Sequence, residues 1–373
     1  MSPIGRPQAA RRAARGSDPR PVLFVTNHAP VFRVGAFAAL HEREGVVFAL
    51  VGGDVRHGGG AGGSAGALPF PVVRPTQSGV LRLAASRRHR AVVAGLSGRV
   101  ALPAAWAGAR LARVPFVLWA TIWAHPRTLA HAFSYLPLRH LYRSADAIAT
   151  YGPHVSAYVR ARGARAPVLE APQSVDDAFW SAPAEPIRRA PFQVTFAGRL
   201  ATEKGVGVLL EAWRTSGLTA PSAALVLAGD GPLHAAATAA AAHVEGPQPP
   251  EQLRDLYAGS DVVVLPSIPT RDFREPWGLV VNEAFDQGVP VIATDAVGAA
   301  AGGLVQHERT GLVVPAGDGR ALAAALRRLH DDAGLRTRLG EAAREAVRAH
   351  SHAAWAEGMS AALRAADVSR TPC

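Results

Sequence analysis

Short apolar runs recur along the chain, each closing on a polar loop, and most are followed by a stretch with helical spacing. Residues 21–26 form the first, ending at Asn27-His28. Helical spacing follows around residues 35–43, and residues 46–51, 91–96, 115–120 and 145–150 read as further buried strands. Pro183, Pro186 and Pro191, with Arg188 and Arg189 between them, mark a linker over residues 182–191. A cleaner train comes next. Strands are expected at residues 193–197, 223–228, 261–265, 290–293 and 311–314, with helical patterns at 203–214, 231–243, 249–258 and 278–287. Alanine-rich amphipathic helices are expected over 318–330 and 333–366. Short buried strands alternating with helices predict parallel sheets covered on both faces, and two such trains predict two doubly wound α/β domains facing a cleft. Ligands bind such sheets beyond the carboxyl ends of the strands.

A length of 373 residues suits two domains, and 49% hydrophobic with 18% charged residues suits a globular chain. The uncharged apolar run of residues 114–124 is about half of what a bilayer-spanning helix needs. Residues 1–20 carry five arginines without an apolar core; they read as a disordered basic tail rather than a secretory signal. The glycine-rich stretch 57–66 reads as a flexible surface loop. Cys373 is the only cysteine, which excludes disulfides within the chain and thiolate metal clusters and fits a reducing cytoplasm.

Charge divides the chain. Residues 1–180 hold 22 Arg against 8 acidic residues, whereas residues 181–373 are slightly acidic, and the whole carries +11. A basic front half implies an anionic partner or surface. There is no zinc-finger spacing, RRM-like aromatic motif or basic zipper, and aromatics are only 6%, so nucleic acid is the weaker candidate. An anionic membrane surface suits better; residues 79–90 mix apolar and cationic positions as an interfacial helix would. Of the 40 basic residues 39 are Arg, so Lys204, the one Lys, stands where a compact ammonium serves differently from a planar guanidinium.

Two segments carry candidate chemistry. In the first, residues 197–205, Arg199 and Lys204 follow a strand and flank a helix start; two cations beside free helix N–H groups suit a diphosphate. In the second, Glu275 precedes a helix expected to begin near Gly278, and Glu283 projects from that helix's second turn. A carboxylate there can accept from the paired hydroxyls of a ribose or hexose.

Together these segments resemble the C-terminal domain of GT-B glycosyltransferases of family 4, the large retaining group, over residues 192–345. The resemblance rests on Gly198-Arg199-Leu200 with Lys204-Gly205, the turn Ala228-Gly229-Asp230-Gly231-Pro232, the strand end Pro266-Ser267, Glu275 and Glu283 at E-x7-E spacing, and the runs 288–293 and 311–313. It implies that Arg199 and Lys204 bind the diphosphate of a nucleotide-sugar donor, with backbone N–H groups of Gly278 and Leu279 on the distal phosphate. It further implies that Glu275 contacts the transferred sugar and Glu283 the ribose. The N-terminal half matches more loosely: Asn27-His28-Ala29-Pro30 stands where the family has glycines. His125, just past a strand, takes the place of the family's histidine near the reacting sugar, and Pro172-Gln173-Ser174-Val175-Asp176 resembles its interdomain segment.

The resemblance thus implies two Rossmann-like domains in the GT-B arrangement. After a tail over 1–20 come an acceptor-binding domain at 21–183, a linker at 184–190 and a donor-binding domain at 191–345. Residues 346–373 form a last helix packing back on the first domain. The implied enzyme is a hexosyltransferase-type retaining glycosyltransferase of polysaccharide, glycolipid or glycoconjugate biosynthesis. It takes a nucleotide diphosphate sugar as co-substrate and a hydroxyl acceptor, lipid-linked in one version, and uses no metal and no other cofactor. It would work in the cytoplasm, at the inner face of the membrane where the acceptor is membrane-held. A nucleotide-sugar epimerase or phosphorylase, or a non-catalytic nucleotide-sugar binding protein, stays open as an alternative.

Overall fold

The computed structural model describes residues 18–52, 68–96, 98, 100–125, 129–240 and 242–369. The basic tail up to residue 17, the glycine-rich stretch 57–66 and Cys373 lie outside the described residues. Among the described residues, seven strands build a first sheet: β1 (Val22–Thr26), β2 (Val46–Leu50), β3 (Val72–Val73), β4 (Ala91–Gly95), β5 (Phe116–Ala120), β6 (Ala147–Thr150) and β7 (Val168–Glu170). Their order is β3-β2-β1-β4-β5-β6-β7. A second sheet contains β8 (Phe192–Ala197), β9 (Ala223–Ala228), β10 (His243–Gly246), β11 (Val262–Leu265), β12 (Val291–Thr294) and β13 (Gly311–Val314), in the order β10-β9-β8-β11-β12-β13.

Every pairing of named strands is parallel, as in Val22 opposite both Val46 and Ala91, and Val194 opposite Leu225. Parallel strands covered on both faces should be apolar throughout. β1, β4, β5, β8, β9 and β11 are buried at every position. In the second sheet successive residues face opposite cores: Leu225 and Leu227 pack with Phe196 and Leu326, whereas Val226 and Ala228 join the apolar cluster that continues into the first domain. Strand order reverses between β1 and β4 and again between β8 and β11. The loops leaving these strands therefore border the crevices where doubly wound sheets bind ligands.

Several elements differ from the sequence reading. The expected helix over 333–366 is two, Ala333–Val347 and His352–Val368, separated by a tight turn; the Ser351 hydroxyl accepts from Ala354 N at 3.2 Å and caps a new helix. The expected helix over 231–243 shrinks to His234–Ala239, because residues 243–246 leave it to form β10. The interfacial helix expected over 79–90 runs only from Gly79 to Ala84; Arg87 beyond it has a positive φ and His89 is buried. The helix expected over 203–214 begins at Val206, and Lys204 ends a separate 3-10 turn, Thr202–Lys204.

The His352–Val368 helix packs against the Val31–Glu44 helix and against β5, β6 and β7 of the first domain. Its Trp355, fully buried, lies among Phe24, Phe37 and Trp119, with ring centroids 5.7 to 6.3 Å apart. The chain therefore crosses between domains twice, before β8 and again after the Ala333–Val347 helix.

Candidate active site

The loop after β8, at the second sheet's switch point, is stitched by backbone to the loops after β9 and β11. After β8, Gly198 N donates to Ala228 O at 2.9 Å and Leu200 N to Asp230 O at 2.9 Å, and Ile268 N reaches across to Glu203 O at 3.1 Å. Gly205 makes the approach close: its φ is +72°, and a Cβ there would lie 1.8 Å from Pro266 O. Only glycine fits. Lys204 is thereby set directly across from the segment after β11.

There the Lys204 ammonium donates to Glu275 Oε2 at 2.6 Å, and the Ser267 hydroxyl donates to the same oxygen at 3.0 Å. Glu275 is buried, and the Phe273 ring sits 5.0 Å from the ammonium. Arg199 is turned away: its guanidinium pairs with Glu203 and is largely exposed. The two cations predicted together thus share a loop but hold different carboxylates, each taking the anion its backbone position can reach.

Residues 275–278 are gripped from both domains. Trp123 Nε1, from the loop after β5, donates to Glu275 O at 3.0 Å, and Gly298 N donates to the same carbonyl at 3.1 Å. His154 Nε2 donates to Pro276 O at 3.2 Å; burial lowers its pKa, which keeps the ring neutral. Trp277 is buried, its indole N–H donating to Asn282 Oδ1 at 2.7 Å, and Asn282 Nδ2 donates to Gln173 O at 3.2 Å. Gln173 belongs to the segment expected between domains, and it does bridge them.

Gly278 has φ +97°, with Leu265 occupying the place a Cβ would need, and Leu279 forms the N-cap of the helix Val280–Asp286. Glu283 stands in that helix's first turn, not the second, because the helix begins two residues later than expected. Its carboxylate accepts from Tyr257 Oη at 2.9 Å. Burial pushes Glu283 up to about 7 against the opposing effect of the Tyr257 hydrogen bond. Asp286 is likewise raised to about 7, by burial and then by the neighbouring Asp177 and Glu283 carboxylates.

His125 lines an open cavity of about 750 Å³ together with Trp123 from the first domain and Phe273, Arg274 and Pro276 from the second. Its ring lies 5.4 Å from Tyr135. The Arg274 guanidinium carbon sits over Trp123, 3.6 Å from the ring centroid. The structure therefore brings Lys204, Glu275 and the cavity bearing His125 to one place, with Glu283 on the helix that follows the Glu275 loop. Sequence reasoning missed Ser267, Tyr257, Phe273, Trp123 and His154. Ser267 and Trp123 lay inside segments already singled out, but nothing local to them showed that they meet Glu275.

Residues 181–346 match the family described as Glycosyl transferases group 1. The D-inositol 3-phosphate glycosyltransferase of Corynebacterium glutamicum is 42% identical over 117 residues, 31% of this chain and 26% of that protein. Glycogen synthase of Mycobacterium tuberculosis is 31% identical over 183 residues, 46% of this chain and 42% of that protein. These matches span about a quarter of the first relative's length and under half of the second's. Among solved structures, Anabaena HepE in complex with UDP has a TM-score of 0.71 at 19% identity, covering 92% of this chain and 99% of that one. Sucrose-phosphate synthase from Thermosynechococcus elongatus has a TM-score of 0.69 at 20% identity, covering 92% and 98%. The fold is that of the GT-B glycosyltransferases, two parallel-sheet α/β domains facing a cleft.

Proposed function

We propose that this chain is a retaining glycosyltransferase that moves a sugar from a nucleotide diphosphate sugar to an acceptor hydroxyl, as a member of family 4. The observation that carries the reading is the Lys204–Glu275–Ser267 cluster, set on the two switch-point loops beside a cavity shared by both domains. Solved neighbours of the same fold hold UDP or UDP-glucose, which supports a nucleoside diphosphate donor.

In this reading Lys204 neutralises the donor diphosphate, Arg199 joins it once its exposed guanidinium swings from Glu203 to the donor, and the Gly278 and Leu279 N–H groups meet the distal phosphate. Each good contact to charge developing on the leaving group is worth about 2–4 kcal/mol of transition-state stabilisation. These cations and dipoles supply what a metal would otherwise provide. Glu275 contacts the transferred sugar, Glu283 holds the ribose hydroxyls, and His125 faces the reacting sugar from the acceptor side. The acceptor oxygen attacks the anomeric carbon on the face the diphosphate leaves, and the departing phosphate oxygen takes the acceptor's proton, so configuration is retained. Arg271 and Arg274 on the cavity wall, against Asp272, suit an acceptor bearing negative charge.

A thermal-shift screen against UDP, GDP, ADP and TDP identifies the base, since a ligand of the folded state raises its melting temperature. With that donor and an acceptor, NMR of the product's anomeric proton tests the reaction. Inverted product overturns retention, and an isomerised donor without transfer overturns the transferase reading.

A further inference from the structure

Between residues 55 and 145 the sequence contains 12 Arg and not one Asp or Glu. The same stretch holds six of the nine large apolar side chains that are exposed among the described residues. Those two facts converge on three helices of the first domain. Gly79–Ala84 and Ala101–Ala112 pack so closely that a Cβ on Gly108 would lie 2.5 Å from Ala84 Cβ. The third, Leu129–Ser144, joins them through a Trp106–His140 ring contact at 5.1 Å. Together they form a continuous helical layer over the first sheet.

The outward side of this layer carries apolar and cationic side chains together. Phe133 is 84% exposed, Leu136 one turn further on 68%, and Leu111 on the neighbouring helix 63%. Arg82, Arg113, Arg139 and Arg143 are exposed around them. An isolated exposed leucine is ordinary; phenylalanine and leucine at i and i+3, ringed by arginines without any carboxylate, are not. Surface arginines of soluble proteins are normally interspersed with acidic residues, and the slightly acidic second half of this chain shows that pattern.

We propose that this face docks on an anionic lipid bilayer, with Phe133 and Leu136 entering the headgroup–acyl boundary and Arg82, Arg113, Arg139 and Arg143 lying among the lipid phosphates. The chemistry favours a bilayer over nucleic acid. A polyphosphate would satisfy the arginines but would leave aliphatic Leu81, Leu111 and Leu136 without apolar contact, whereas a bilayer offers anionic headgroups above an apolar interior. Docking also places the site usefully. Tyr135, on the same helix as Phe133 and Leu136, lies against His125 on the wall of the interdomain cavity. A membrane-held acceptor would thus have a short path to that cavity. The proposal stands on surface chemistry alone and does not depend on the glycosyltransferase reading.

The test uses the full chain and vesicles of phosphatidylcholine with or without one-third phosphatidylglycerol, in co-sedimentation at about 0.15 M ionic strength. Wild type should partition onto the anionic vesicles about tenfold more strongly than onto neutral ones, as an interface that combines charge with insertion requires. The double variants F133S/L136S and R139E/R143E should each lose that enrichment. Both alter only exposed side chains, so their melting temperatures should match wild type, which makes lost sedimentation a surface effect. Absence of enrichment in wild type overturns the proposal. So does enrichment that survives F133S/L136S while a random-sequence duplex DNA competes it away, because the face would then be reading phosphate charge without a bilayer.

Discussion

Lys204 and Glu275 satisfy each other across the two loops. A buried carboxylate with one cation and one hydroxyl on a single oxygen is compensated only while both partners remain. Under the proposed function a diphosphate draws on the same ammonium, so the pair divides the work of binding and reaction. Lys204→Ala should weaken nucleoside diphosphate binding by at least about tenfold, or about 1.4 kcal/mol, measured by calorimetry; unchanged affinity would remove Lys204 from the donor site. Glu275→Gln should lower kcat while nucleoside diphosphate affinity persists, because the free nucleotide lacks the sugar that Glu275 contacts. Glu283→Gln should do the reverse, raising donor KM with kcat largely kept, since the ribose does not change during the reaction. Equal loss of nucleotide affinity in both variants would show that the assignment of roles is wrong.

Glu283 also gives a pH signature that needs no substrate. Its carboxyl is raised from its ordinary 4.5 to about 7 in the folded chain, chiefly by burial. The folded state therefore holds that proton more tightly than the unfolded state, and ionisation erodes stability as pH climbs from about 4.5 through about 7. A neutral Gln escapes the penalty and can still accept from Tyr257. The stability of Glu283→Gln relative to wild type should accordingly increase between pH 5 and pH 8, followed by urea denaturation. A constant difference would mean that Glu283 is solvated as a surface carboxylate.

At the scale of elements, the loops at the second switch point keep their shape through glycines whose environment is backbone. A Cβ on Gly205 would collide with the Pro266 carbonyl, and no side-chain rotation relieves that. Gly205→Ala should cost more than about 2 kcal/mol of stability and weaken nucleotide binding as well, because the same contact sets Lys204 against Glu275. A destabilised variant with wild-type nucleotide affinity would uncouple the two.

These loops were the most legible part of the chain, for a physical reason. Buried parallel strands require unbroken apolar runs, and the ligand edge that follows them concentrates glycine, cations and carboxylates within a few residues. Glu275 and Glu283 could be placed by such local spacing. The two-residue β3, and β7 with its exposed Glu170, carry too little apolar sequence to announce themselves, and β10 begins with an exposed His243. The break after Val347 was hidden because alanine-rich periodicity runs on through it, and only the Ser351 cap marks the new start. The grip of Trp123 and His154 on residues 275–276 joins positions more than a hundred residues apart, and no spacing rule reaches that far.

At the scale of the molecule, the first domain is completed by the last helix. Phe24, Phe37 and Trp119 come from the first third of the sequence, yet Trp355 fills the space among them. Domains of a nascent chain generally mature in the order in which they are synthesised. Here the order inverts. The strands and helices of residues 191–347 can assemble as soon as they emerge, while the first domain waits with an uncovered aromatic pocket until residues 352–368 leave the ribosome. Limited proteolysis of a chain ended after His350 should therefore cut preferentially before residue 183 and spare the second domain, whereas the full chain should resist in both. A ring made near the end of synthesis thus closes a core whose other aromatic walls were made first.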